Sequence, residues 1–245
     1  MNPGILVATT GRILRQLRHD RRTIALLVAL PTLLLTLLYF MYEQHHALFD
    51  RIALTMLGVF PFTVMFLVTS IAMLRERTTG TLERLLTTPV GKLDLLFSYG
   101  LAFGLAAAVQ AGVAAGLAYR LLGLSTAGSG WLVLLIGVAN AVLGVALGLF
   151  CSAFARSEFQ AVQFMPVVAF PQILLCGLFV PREQMAGWLQ AVSKVLPLTY
   201  AVEALGEVGR HAEATALMWR DVAIVAGCVV VALVLAAATL RRRTD

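Results

Sequence analysis

Charge is what this sequence has least of. Only 13% of its residues are Asp, Glu, Lys or Arg, against 60% apolar, and the mean hydropathy is +0.87. Soluble domains carry about 25% charged residues and about 45 to 50% apolar ones. A water-facing globule is therefore excluded, and the chain reads as an all-α integral membrane protein. Cysteine is scarce as well: Cys151, Cys176 and Cys228 lie within or beside apolar runs, without metal-ligand spacing. They read as buried free thiols. The four histidines, His19, His45, His46 and His211, all fall outside the apolar runs, so an intramembrane enzyme would have no bases or ligands converging at depth.

Six uncharged runs are long enough to cross about 30 Å of hydrocarbon, which takes about 20 helical residues. They cover about 23–42, 52–74, 95–119, 131–155, 159–180 and 222–240, and none contains Asp, Glu, Lys, Arg or His. The first follows a basic segment, but no small-x-small cleavage site follows Tyr42, so it is expected to be retained as a span. Residues 1–245 then form a single transmembrane domain of six helices.

Orientation follows from the distribution of Lys and Arg. With a cytoplasmic N-terminus, thirteen basic residues fall inside: Arg12, Arg15, Arg18, Arg21, Arg22, Arg75, Arg77, Arg84, Lys92, Arg156, Arg241, Arg242 and Arg243. Six remain outside: Arg51, Arg120, Arg182, Lys194, Arg210 and Arg220. Both termini are thus expected in the cytoplasm of a multi-pass plasma (inner) membrane protein. The net charge of +6 is explained by this bias and calls for no nucleic acid.

The polar segments have their own patterns. In the N-terminal stretch GRILRQLRHDRR, Leu6, Ile13 and Leu17 share one helical face and Arg12, Arg15, Arg18 and Arg22 the other. This predicts an amphipathic helix lying along the membrane surface. Between the fifth and sixth runs, residues 182–211 are too apolar for a solvated loop and are interrupted by Pro197. They predict a pair of short helices at the outer face. Gly100, Gly104, Ala108, Gly112 and Gly116 make a smooth ridge on the third run, with a shorter version at Gly144 and Gly148 on the fourth. Both ridges allow close helix packing.

No ionisable residue lies inside a run, as an ion-coupled carrier would require. No phosphate-binding loop is present either, because Gly91-Lys92-Leu93 lacks the upstream glycine and the following Ser or Thr. Active transport by this chain would therefore draw its energy from another subunit.

The remaining segment, RERTTGTLERLLTTPVGK at 75–92, separates the second and third runs. Gly80 is an acceptable N-cap, Glu83 falls in the first turn, Leu82, Leu85 and Leu86 form an apolar face, and Pro89 ends the helix. A short capped helix of this kind suits docking into a groove on a soluble partner.

That segment resembles the cytoplasmic signature of ABC type-2 exporter permeases, the membrane subunits of drug, antibiotic and polysaccharide exporters. The matching residues are Arg75, Glu76, Gly80, Thr81, Leu82, Glu83, Leu85, Leu86, Thr88 and Pro89. LPLTYAVEAL at 196–205, with Pro197, Leu198, Thr199, Tyr200 and Glu203, resembles the family's second recurrent stretch before the last span. Gly206-Glu207 departs from it, since a basic residue often follows the leucine there. The resemblance implies that 75–92 is a coupling helix seated against an ATP-binding cassette subunit. It also implies two copies of that subunit, which bind ATP and Mg, and a second permease chain, identical or related. No cofactor is expected on this chain.

The expected function is export of a small amphiphile such as a drug, antibiotic or lipid. The alternatives are a polysaccharide or lipid-linked polymer exporter and a non-transporting scaffold or regulatory subunit. Asn140, Gln110, Gln163, Gln172, Phe164 and Met165 are the expected residues of a substrate path.

Overall fold

The computed structural model describes residues 3–79 and 92–239. Every regular element among the described residues is helical, as the uncharged runs require, because a chain in hydrocarbon must satisfy its backbone hydrogen bonds within itself.

Helix α1 (Pro3–His19) carries the amphipathic pattern, with Ile13 buried and Arg15, Arg18 and His19 exposed. Asp20 then turns the chain. Its Oδ1 accepts the Thr23 N–H at 3.1 Å and its Oδ2 the Thr23 hydroxyl at 2.6 Å, so it caps α2 (Arg21–Met41). These two bonds hold the Asp20 carboxyl below the usual carboxylate range.

Helix α3 (His46–Thr78) has 33 residues, about 50 Å at 1.5 Å per residue, so it outruns the hydrocarbon. It is the central helix, with Phe49, Phe62, Met65, Phe66 and Met73 all buried. After α4 (Lys92–Arg120), Ser129 caps α5 (Gly130–Cys151).

The α3–α5 pair is the most extensive helix contact among the described residues, and glycine makes it possible. A Cβ at Gly144 would run into the Phe62 carbonyl oxygen, and one at Gly148 would lie 2.6 Å from that of Phe66. The longer ridge on α4 is used differently: Gly112 and Gly116 have nothing within reach of an added Cβ. Within the chain, the shorter glycine pair therefore carries the close approach.

The run expected as an unbroken span at 159–180 is interrupted. It comprises α6 (Glu158–Phe164), a π-helical turn (Met165–Ala169) and α7 (Phe170–Leu175), and the chain then bends at Gly177, whose φ is +94°. Pro166 and Pro171 explain the break. Each lacks an N–H and crowds the preceding turn, and the Phe170 N–H reaches back five residues to the Met165 carbonyl, the π pattern. Among the described residues, five helices, α2 to α5 and the last one, are long and apolar enough to cross a membrane.

The segment 182–211 forms a 3-10 turn (Arg182–Gln184), α8 (Gly187–Ser193) and α9 (Pro197–Arg210). Helix α9 packs on α3, α5 and α10 (Ala216–Thr239). Leu205 meets α3 at Gly58, where an added Cβ would come within 2.7 Å of its side chain.

Candidate functional site at the polar end of the bundle

Where α3 emerges toward residues 80–91, its last two turns are tied to three other helices. Arg75 makes a bidentate pair with Glu158 of α6, Nε to Oε1 at 2.7 Å and Nη2 to Oε2 at 3.1 Å. Both side chains are about half exposed, so the pair contributes only about 0–1 kcal/mol. What it provides is geometry: two parallel bonds fix the α3 terminus against the first turn of α6, which Ser157 caps through the Gln160 N–H. The bonded guanidinium holds the Glu158 carboxyl below its ordinary value.

One residue on, Glu76 is buried and faces inward, with Arg12 Nη2 of α1 at 3.7 Å. The same nitrogen donates to the Tyr99 hydroxyl of α4 at 3.1 Å. A buried carboxylate is costly unless charge and hydrogen bonds compensate it, and Arg12 supplies the opposite charge. Helix α1 is further stitched to α4 by Ser98, whose hydroxyl lies 3.3 Å from the Leu6 carbonyl and whose own carbonyl accepts from Thr10 Oγ1 at 3.5 Å. Neighbouring residues of α3, about 100° apart around the helix, thus face different partners, Arg75 toward α6 and Glu76 toward α1 and, through Arg12, α4.

Of the residues expected to couple to a partner, Arg75 and Glu76 lie in this cluster. Gly80, Thr81, Leu82, Glu83, Leu85, Leu86, Thr88 and Pro89 lie outside the described residues. The second motif lies apart from this cluster, with Leu205 beside Gly58 near mid-length of α3. Pro197 opens α9, Leu198 and Thr199 are buried, the Tyr200 hydroxyl donates to the Lys194 carbonyl at 2.6 Å, and Glu203 pairs with Arg182 at 2.7 Å.

The expected path residues do not converge. Asn140 is fully buried and donates to the Gly58 carbonyl at 2.7 Å, a helix–helix contact. Gln172 is also buried, bonded to the Val168 carbonyl at 3.0 Å and to the Leu198 N–H at 3.4 Å. Phe164 packs on Leu74, Ala155 and Ala161, Met165 packs on the main core, and Gln163 is exposed. Gln110 is buried on the α4 face toward α1 and α2.

Three residues of the cluster escaped sequence reasoning. Tyr99 and Glu158 form bonds 87 and 83 residues away in the chain, beyond any local pattern, and Arg12 is one of several arginines on α1. The Ser157-Glu158 pair is nonetheless a readable helix start.

Residues 4–208 match the family model described as ABC-2 type transporter. The chain is also 26% identical over 159 residues to ABC transporter G family member 20 of Dictyostelium discoideum, a match covering 65% of this chain and 22% of that protein. It is 26% identical over 140 residues to the probable multidrug ABC transporter permease YbhS of Escherichia coli K12, covering 57% of this chain and 37% of that permease. The matched stretches thus take up well under half the length of either relative.

Proposed function

This chain belongs to the ABC-2 type transporter family, and we propose that it is the membrane-spanning half of an ATP-driven exporter of small amphiphiles. In this reading, two separate ATP-binding subunits carry ATP and Mg and dock at residues 75–92, and a second permease chain completes the translocation path. The end of the bundle bearing α1 and the α3 terminus is cytoplasmic, in keeping with the thirteen to six division of basic residues. The broken segment 159–175 is the remaining crossing: its 17 residues would extend about 26 Å if wholly helical. That makes the number of crossings even and returns the C-terminus to the cytoplasm of the plasma membrane.

The observation that carries the proposal is the tethering of α3 immediately before the docking segment. Force delivered at 80–91 enters a helix end bonded to α1 and α6, and through Arg12 to α4, so it reaches the whole bundle rather than dissipating in a loop. The apolar walls and the absence of charge from the uncharged runs favour an amphiphile over an ion.

The test is co-expression with an ATP-binding subunit. Glu83→Arg and Leu82→Asp should reach the membrane at normal levels, retain or lose the ATPase on purification, and in either case abolish ATP-dependent transport into inverted vesicles. Normal transport by both variants would remove the coupling role from this segment.

A further inference from the structure

Between α1, α2 and α4 lies a recess of about 230 Å³ that the proposed coupling role does not use. Its walls are apolar: Leu14 and Leu17 from α1, Leu27 from α2, Ala106 and Val109 from α4. Two polar residues also line it, and they differ sharply. Arg18 is exposed and forms no ion pair among the described residues. Gln110 is 98% buried, being 2% exposed, and neither its amide nitrogen nor its carbonyl oxygen has a hydrogen-bond partner among the described residues.

A primary amide enclosed by hydrocarbon without a partner is rare in folded proteins, because burial removes hydration that nothing replaces. The other buried amides in the bundle are at least half paired: Asn140 Nδ2 donates to the Gly58 carbonyl while its Oδ1 has no partner, and Gln172 bonds at both ends. Gln110 alone among these three stands with both ends unpaired, and it does so in the wall of an open recess. A rotation of the side chain into the recess would let a guest with an acceptor at that depth satisfy it.

We propose that this recess binds one molecule of an anionic glycerophospholipid from the surrounding leaflet. The phosphate would pair with the Arg18 guanidinium, a charge-assisted contact. An ester carbonyl, which lies a few bonds below the phosphate, would accept from the Gln110 amide, and the upper acyl chain would cover the leucines. Both polar groups and the apolar walls belong to one recess, and such a lipid presents the matching set of a phosphate, an ester carbonyl and an acyl chain. The inference rests on membrane placement and is independent of the coupling role, so it is read by lipid retention rather than by transport.

The experiment uses the purified full chain in detergent, with phosphatidylglycerol or phosphatidylcholine of matched acyl chains, followed by native mass spectrometry and thermal midpoint. The wild type should retain one phosphatidylglycerol with at least tenfold preference, and its midpoint should rise with that lipid. Arg18→Gln should erase the preference for the anionic head. Gln110→Leu should lose the adduct, yet melt higher than wild type without lipid, because the orphaned amide is gone. Equal retention of the two lipids by the wild type would overturn the proposal. So would unchanged phosphatidylglycerol retention in Gln110→Leu. A variant whose oligomeric mass changes while lipid retention does not would assign Gln110 to a contact between copies and overturn it equally.

Discussion

Reversing one charge at the α3 terminus separates mechanical registry from stability. Glu158→Arg replaces the acceptor of a bidentate pair with a second guanidinium. The lost attraction amounts to about 0–1 kcal/mol for a pair this exposed, and the new repulsion at about 4 Å in water adds about 1 kcal/mol. A loss of about 1 to 2 kcal/mol shifts the melting of a chain this size by a few degrees, so the variant should fold and insert. Registry between α3 and α6 should nonetheless be lost, and ATP hydrolysis by the co-purified partner should no longer respond to substrate. The swap Arg75→Glu with Glu158→Arg should restore the response. The depressed Glu158 carboxyl also predicts a sign. Its contribution is present above the ordinary glutamate value of about 4.3 and is lost only as pH falls through the lower folded value. Between pH 6 and 8 the coupling should be flat in wild type. A single reversal that keeps full substrate stimulation, or a swap no better than either single change, would refute the reasoning.

Three further outcomes are expected. Arg12→Ala should lower the thermal midpoint by more than the double variant Arg12→Ala with Glu76→Gln, because the single change leaves Glu76 a buried anion without its counter-charge, at several kcal/mol if fully enclosed; equal midpoints would dismiss the pairing. Gly144→Ala should cost about 1 to 3 kcal/mol by forcing α5 off the α3 backbone, whereas Gly112→Ala should be neutral, and detergent melting curves compare them directly. In a cysteine-free background, Thr79→Cys should resist an impermeant thiol reagent in intact cells and Ala47→Cys should react; both positions are exposed, so the reverse pattern would invert the topology.

The crossing helices were legible because the bilayer imposes a length and forbids charge, and both conditions are written residue by residue. The break within 158–175 was also written there, in Pro166 and Pro171, but hydropathy counts proline's apolar ring and ignores its missing N–H. Glycine spacing marked where helices can approach without naming the partner: Gly144 and Gly148 meet α3, while Gly112 and Gly116 on the longer ridge have no close neighbour for a Cβ. The tethers of Arg75 and Glu76 could not be read, since adjacent residues bond to segments far apart in the chain. The orphaned Gln110 amide could not be recognised either, because only packing reveals that nothing meets it.

Helix α3 can be considered as a see-saw. Near its middle, Gly58 is gripped on two sides, its carbonyl by Asn140 at 2.7 Å and its face by Leu205. Three residues further along stands Pro61, which weakens the backbone ladder there. From Pro61 the arm toward Thr78 is about 26 Å and the arm toward His46 about 22 Å. With the pivot clamped near mid-length, a tilt of about 5° would move each end by about 2 Å, in opposite directions. A push at the Arg75 end would then open or close the packing around Phe49 by almost the same distance, so little of the stroke would be lost between one face of the membrane and the other.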